Sequence, residues 1–383
     1  MGKENSRRLI PLHHNRERVK PIAYPGRDSW LGQQRDKREH TMKKALIAST
    51  ALVLTAGIAA ADVTISGYGR TGVQYYEDGI ITVGGNDTQV ISRLRMNIDA
   101  STSTDQGVDF GARFRLQWDQ GNSSRGNDAS TNAGKVFVTA SGLTVEVGNV
   151  DTALDSAALV YASELGAFDR STGGNFLGAF FAYESSPYSN NDRLGIAARY
   201  ALGDVTLRAS YIDPDQSGLF EDTLDGTVPT KEEFSLAAEY VWNERLELSA
   251  GASLNAAGWE DHDVYFVGAR YAVLENARVG LNYYANGDVG SISGVDSSNA
   301  DFVNVIDDLG NTVTLYGDYT LADGLTNIEA YVANNDGDWT QKETDVSFGI
   351  GANYDLGGAR LGASLQRDYQ ERVSADMGVR FDF

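Results

Sequence analysis

The sequence predicts an all-β fold: a transmembrane antiparallel β-barrel of 16 strands. Three observations carry this. First, the stretch Arg372 to Phe383 puts Val373, Ala375, Met377, Val379, Phe381 and Phe383 on one strand face, and Arg372, Ser374, Asp376, Gly378, Arg380 and Asp382 on the other. A strand in a soluble sandwich seldom turns two Arg and two Asp to its second face, whereas a barrel wall with lipid outside and water inside does. Second, segments of the same kind recur from Val63 onward, most of them about ten residues long, the length a tilted strand needs to cross a bilayer. Third, the connections between them alternate short and long, as the two ends of an outer-membrane barrel do.

The chain has 383 residues, 42 Gly, 6 Pro and no Cys. Without Cys there are no disulfides, zinc–thiolate sites or thiol catalysis. The formal charge of −21 is unevenly spread. Residues 1–61 carry 12 Lys+Arg against 5 Asp+Glu, and the remainder carries 20 against 48. A chain that acidic repels nucleic acid, so no nucleic-acid partner is expected. Met42-Lys43-Lys44, the apolar run Ala45 to Ile58 and Ala59-Ala60-Ala61 form the charged, apolar and small-residue parts of a secretory signal peptide over 42–61. The run is shorter than the roughly 20 apolar residues of a membrane-spanning helix. Residues 1–41 are basic and aperiodic and precede a complete signal, so they are expected to be a mis-assigned N-terminal extension. Residues 62–383 form the barrel.

In chain order, Val63 to Tyr76 sets Val63, Ile65, Val73 and Tyr75 against Thr64, Ser66, Tyr68, Arg70 and Gln74. Val90 to Ala100 sets Leu94, Met96 and Ile98 against Arg93, Arg95, Asn97 and Asp99. The third strand sets Val108, Phe110, Ala112, Phe114, Leu116 and Trp118 against Asp109, Arg113, Arg115, Gln117 and Asp119. Further strands are expected near 133–140, 142–149, 192–201, 203–212, 232–242, 244–254, 262–271, 274–284, 311–320, 324–333, 345–355, 358–366 and 372–383. Short turns fall at 101–107, 140–142, 201–203, 241–245, 271–275, 320–324 and 355–358. Loops rich in Asp, Asn, Ser and Gly fall between the remaining strand ends, the longest being the third, 150–191. Phe176 to Tyr183 is apolar but is placed inside that loop, because a seventeenth strand would make the count odd and move the turn 201–203 to the long-loop side.

The five arginines Arg70, Arg93, Arg95, Arg113 and Arg115 share the lumen-facing parity of the first three strands. Neighbouring strands lie ~4.8 Å apart, so these side chains are expected to form one patch. The third loop carries Asp151, Asp155, Glu164 and Asp169, with Arg170 the nearby base.

The signal peptide, Asp62-Val63-Thr64-Ile65-Ser66-Gly67 opening the first strand, the long third loop and the Phe-terminated last strand together resemble the Gram-negative general porins, above all those of alphaproteobacteria. The resemblance spans residues 42–383. It implies outer-membrane localisation, homotrimers in contact with lipid and lipopolysaccharide, and passive diffusion of ions and small hydrophilic solutes. It also implies that the third loop folds into the lumen, its acids opposing the wall arginines at a constriction, and that Phe383 is read by the outer-membrane assembly machinery. Against this stands the plainer reading of the same charges as scattered pairs along the wall. Two other functions fit a barrel: a substrate-specific channel of 18 strands, gaining 176–183 and 301–306, or a non-conducting adhesin or anchor.

Enzymatic chemistry is not expected. His262 is the only His after the leader; nothing marks a Ser as its nucleophile, and it reads as a solvated residue at a loop edge. Asp213, Asp215, Asp336 and Asp338 lie in two candidate calcium loops, but neither has the full spacing of a calcium-binding loop with its distal Glu, so no cofactor is assigned. Tyr75, Tyr76, Trp118, Tyr200, Tyr211, Tyr240, Trp242, Tyr271, Tyr354, Phe381 and Phe383 cluster near strand ends, where interfacial girdles would place them.

Overall fold

The computed structural model describes residues 62–77, 86–120, 130–131, 134–171, 194–216, 231–258, 260–286, 309–338 and 342–383. Residues 1–61, with the expected signal peptide at 42–61 and the extension 1–41, and the segments 176–183 and 301–306 lie outside them. The strands are β1 (Asp62–Tyr76), β2 (Thr88–Ser103), β3 (Asp109–Gln120), β4 (Ser130–Thr131), β5 (Lys135–Ala140), β6 (Leu143–Gly148), β7 (Leu194–Leu202), β8 (Val205–Asp213), β9 (Glu233–Trp242), β10 (Leu246–Leu254), β11 (Val264–Leu274), β12 (Ala277–Asn286), β13 (Asn311–Thr320), β14 (Thr326–Asn335), β15 (Val346–Asp355), β16 (Arg360–Arg367) and β17 (Val373–Asp382). β4 and β5 are two pieces of one stave, since both pair with β3. The 17 segments therefore make a sixteen-stave wall.

Every pairing is antiparallel, and β1 pairs with β17, so the sheet closes and has no free edge. β6 pairs directly with β7, and β12 directly with β13. The described wall therefore closes with sixteen staves, two fewer than the 18-stranded alternative. Phe383 completes the seam: its N–H donates to the Gly67 carbonyl at 2.9 Å, and the Gly67 N–H donates back at 2.8 Å.

The alternation read from the sequence is the inside–outside alternation of the wall. Ile65, Leu94, Phe114, Leu236, Val267, Ile350 and Met377 are exposed on the outer face, as lipid-facing side chains must be in a single barrel. Tyr200, Tyr240, Trp242, Tyr271, Tyr354, Phe381 and Phe383 are likewise exposed towards the short-turn ends. Tyr76 instead turns inward, donating to Asp368 at 2.6 Å. Tight turns such as 203–204 and 356–358 use Gly203 (φ 58°) and Gly357 (φ 80°), where a side chain would be strained.

Two expectations are corrected. The first hairpin is longer and its turn tighter than expected. Ser101, Thr102 and Ser103 extend β2 because their alternation still pairs with β3, and the Ser103 hydroxyl donates to Asp109 at 2.5 Å. His262 is not solvated and does not begin a strand: it precedes β11, is fully buried, and lies with Nδ1 3.2 Å from the Ala256 carbonyl of a short 3-10 turn (Ala256–Gly258).

Candidate pore constriction

Residues 149–171, the described half of the third loop, supply nine of the twenty buried apolar side chains among the described residues. Val150, Leu154, Leu159, Val160, Leu165, Ala167 and Phe168 are all at most 3% exposed. What buries them is the inner face of the wall. Leu154, Leu159 and Val160 pack with Ala237, Val264, Phe266 and Tyr284, whereas Leu165 packs with Tyr316, Tyr331 and Tyr369.

Inward-facing polar groups satisfy the loop backbone. Leu154 N–H donates to Ser235 Oγ at 2.8 Å, Ala153 N–H to Ser210 Oγ at 2.9 Å and Gly166 N–H to Glu329 at 3.1 Å. Asn282 donates to the Leu159 carbonyl at 2.7 Å and Tyr284 to the Val160 carbonyl at 2.6 Å. A loop could not be buried without such partners. The wall also makes room by omitting side chains. A Cβ at Gly378 would lie 2.8 Å from the Phe168 ring, one at Gly362 2.8 Å from Ala167 Cα, and one at Gly251 2.8 Å from Leu154. Other inward-facing glycines at 268 and 349 are approached by Leu159 and Leu165 in the same way.

The register of β1–β3 places the five wall arginines on neighbouring inward positions. Arg70 lies opposite Arg93 in the β1–β2 register, and β3 places Gln117, Arg115 and Arg113 opposite Arg95, Asn97 and Asp99. They are not bare cations. Arg93 is paired with Asp119; Arg113 donates to Asp99 at 2.6 and 3.1 Å; Arg95 donates to Gln117 at 2.6 Å and Arg115 to Asn97 at 2.9 Å. Arg93 and Arg113 thus meet carboxylates, while Arg95 and Arg115 also reach side-chain amides of the neighbouring strand. Tyr68 underlies the cluster, with Arg95 5.4 Å and Arg380 4.3 Å from its ring centre.

The four loop acids divide. Asp169, in a left-handed conformation (φ 50°), is clamped by Arg360 and Arg380, with Arg70 3.7 Å away. Arg70 also donates to the Phe168 carbonyl at 2.8 Å. Asp169 is thus an anchor of the loop on β1, β16 and β17. Arg170 is held by the Gln74 side-chain carbonyl and lies 6.0 Å from the Tyr76 ring centre. Asp151 acts through space on Arg113 and Arg115. Asp155 accepts a bond from Tyr161, yet burial, with Asp151 and Glu233 nearby, pushes its carboxyl up to about 7. Burial first, then Asp169, pushes Glu164 up to about 8 against the pull of Arg70 and Arg380.

Arg360 and Arg380 were missed as site residues from the sequence. They lie on the lumen parity of the last two strands, and only ring closure, with Arg70 opposite Arg380 and Arg380 opposite Arg360, makes them neighbours of the first. As for calcium, Asp213 accepts from the Asp215 N–H at 3.0 Å, and Asp336 accepts from the Asn311 N–H at 2.5 Å. Among the described residues no group of three or more His, Asp or Glu is gathered for a metal.

A closed wall, apolar outside and charged inside, with a loop packed against its inner face, defines a channel-type barrel of an outer membrane. The comparisons give the particular family. A family model for the Gram-negative porins matches residues 48–373. A porin of Fuscovulum blasticum is 41% identical over 327 residues, covering 84% of this chain and 100% of that one. A porin of Rhodobacter capsulatus is 26% identical with the same coverage. A solved structure of a Rh. blastica porin variant, 39% identical, matches with a TM-score of 0.68 over 84% of this chain and 100% of that one. The chain belongs to the Gram-negative porin family. It is an outer-membrane porin, whose barrel forms a water-filled channel for passive diffusion of ions and small hydrophilic solutes.

Proposed function

We propose that selectivity is set where the third loop faces the β1–β3 wall. The wall arginines Arg70, Arg93, Arg95, Arg113 and Arg115 supply positive charge on one side; Asp151, with Asp155 and Glu164 when ionised, supplies negative charge on the other. The single observation carrying this is that loop residues 149–171 are packed against the opposite wall, so their remaining charges front the arginine ladder. Such a transverse field orients water and polar solutes and disfavours apolar ones; rings of pore charge act in the same way on ions. The unmodified pore is mildly cation-preferring, and the constriction outweighs the distant loop charges, which are screened beyond ~8–10 Å at 0.1–0.15 M salt. The test is the reversal potential in a salt gradient. Asp155→Asn with Glu164→Gln is expected to move selectivity towards anions, and Arg93→Gln with Arg113→Gln towards cations. No shift in either would overturn the assignment.

The assembled form is a homotrimer that buries the outer face of β1 and β2. Support comes from Thr71 and Ser92, whose hydroxyls meet at 2.7 Å on the lipid-facing parity of those strands. Polar pairs in a hydrocarbon band favour helix- or subunit-type contacts over lipid. Phe383 serves as the assembly signal, and its exposure on the outer face leaves it available to the assembly machinery. Deleting it is expected to leave protease-sensitive chain in the periplasm; normal outer-membrane levels would count against that role.

A further inference from the structure

Between the start of the third loop and the wall of β5–β8 lies a second polar recess of about 320 Å³. Lys135, Glu146, Asp151, Ser156, Arg199 and Arg208 line it. Most of this charge is already balanced. Lys135 donates to Glu146 at 2.7 Å, and Arg208 to Glu239 at 3.1 Å. Glu239 in turn accepts from the Ala158 N–H at 3.0 Å, which ties the recess to the loop. Arg199 differs: it is exposed on the inward parity of β7, directly opposite Arg208, and makes no ion pair or side-chain hydrogen bond among the described residues. Asp151, the facing acid, accepts no hydrogen bond among them either, and acts on Arg113 and Arg115 only through space.

An unengaged guanidinium beside a second arginine, with an unengaged carboxylate lining the same small polar cavity, is a complementary pair awaiting opposite charges. We propose that this recess is a solute subsite for small zwitterions of the α-amino-acid type. Arg199 takes the carboxylate through its two-pronged donor edge, and Asp151 takes the ammonium. The Ser156 hydroxyl offers a further polar contact for either group. A plain anion would gain Arg199 but face Asp151 unpaired; a plain cation would gain Asp151 but face the Arg199–Arg208 pair. The zwitterion alone meets both. Arg199 lies outside the charge pairs described for the constriction, so the subsite can fail while the transverse field stands.

The experiment uses the whole assembled porin in a planar bilayer, with ion current read while L-alanine, acetate or glycerol is titrated in. L-alanine is expected to reduce the current saturably, while glycerol and acetate at equal concentration change it only in proportion to bulk conductivity. Arg199→Gln is expected to keep the solute-free conductance and abolish the saturable component, and Arg199→Lys to restore part of it. Asp151→Asn is expected to remove the preference for alanine over acetate. A current that falls linearly with alanine, a saturable component that survives Arg199→Gln, or acetate acting as strongly as alanine on the unmodified pore would each overturn the proposal.

Discussion

The two halves of the inner wall solve opposite problems. Along β8–β17 the third loop packs on the wall, and many inward side chains there are small, neutral or aromatic, such as Ser210, Ser235, Ala237, Gly251, Asn282, Tyr331, Gly362 and Gly378, with charged ones such as Glu329, Arg360 and Arg380 bonded to the loop. Along β1–β3 the inward side chains are instead a ladder of arginines with acids and amides, with Arg70 of β1 reaching the loop at Phe168 and Asp169. Burial dictates the difference. Under the loop an unpaired charge would lose its water at a cost of several kcal/mol, and the charges that meet the loop there are paired, Asp169 with Arg360 and Arg380 and Glu329 with the Gly166 N–H. On the β1–β3 side the arginines pair with acids and amides of neighbouring strands, and their arrangement is free to serve permeation.

The sharpest way to break the inside–outside frame is to exchange the environments of one charge. Phe114 points outward and is 58% exposed. Phe114→Arg is expected to cost ~2–4 kcal/mol near the bilayer midplane and to deplete folded porin in the outer membrane. Ser101, exposed on the inner parity of β2, is the control, and Ser101→Arg is expected to assemble normally. Gly111 and Ser374 share the inner parity but do not serve, because Phe137 lies over Gly111 and Ser374 is buried. Heat-modified mobility on gels measures both variants, and equal tolerance would refute the parity.

The half under the loop is tested by refilling the space it leaves. Gly362→Val puts side-chain atoms where Ala167 now sits, and overpacking of this kind costs about 1–3 kcal/mol. The barrel is expected to form, with a lower Tm and a broadened single-channel conductance as the loop lifts from β16. A substitution that left conductance sharp and unchanged would show that the loop is not seated there.

The smallest effect is a titration. Asp155 and Glu164 keep their protons to about pH 7 and about pH 8, above the range of an unfolded chain. Between roughly pH 4 and those values the folded state binds more protons than the unfolded one, so stability falls as pH rises through that window. The same ionisation adds negative charge to the loop. Cation preference is therefore expected to rise from pH 6 to pH 9 in reversal-potential measurements, and Asp155→Asn with Glu164→Gln is expected to flatten the profile.

The frame of the wall was legible in the sequence, and the path of the loop across it was not. The period-two pattern states which residues face inward and which outward, so the strands and the arginines of β1–β3 could be read locally. Asp169 could not be distinguished from Asp151, because its role depends on Arg360 and Arg380, which reach it only through ring closure. His262 looked solvated since its neighbours Asp261 and Asp263 are acidic, yet the fold of Ala256–Gly258 covers it. One signal of the loop's path was present and unread: glycines at inward positions of β10, β11 and β15–β17, where a lumen-facing wall has no need to be small.

The seam between β1 and β17 has a consequence for how the molecule is made. Tyr68 pairs with Asp382 across roughly 300 residues of chain, about as non-local as a contact can be, and such contacts make folding slow. Until the final strand arrives, the partly formed sheet carries two open edges able to pair with any other chain. Closure is therefore the last contact to form and the one that ends exposure. A chain stalled or cut anywhere before β17 would persist as an open ribbon, so the ring joint distinguishes finished molecules from unfinished ones without any separate check.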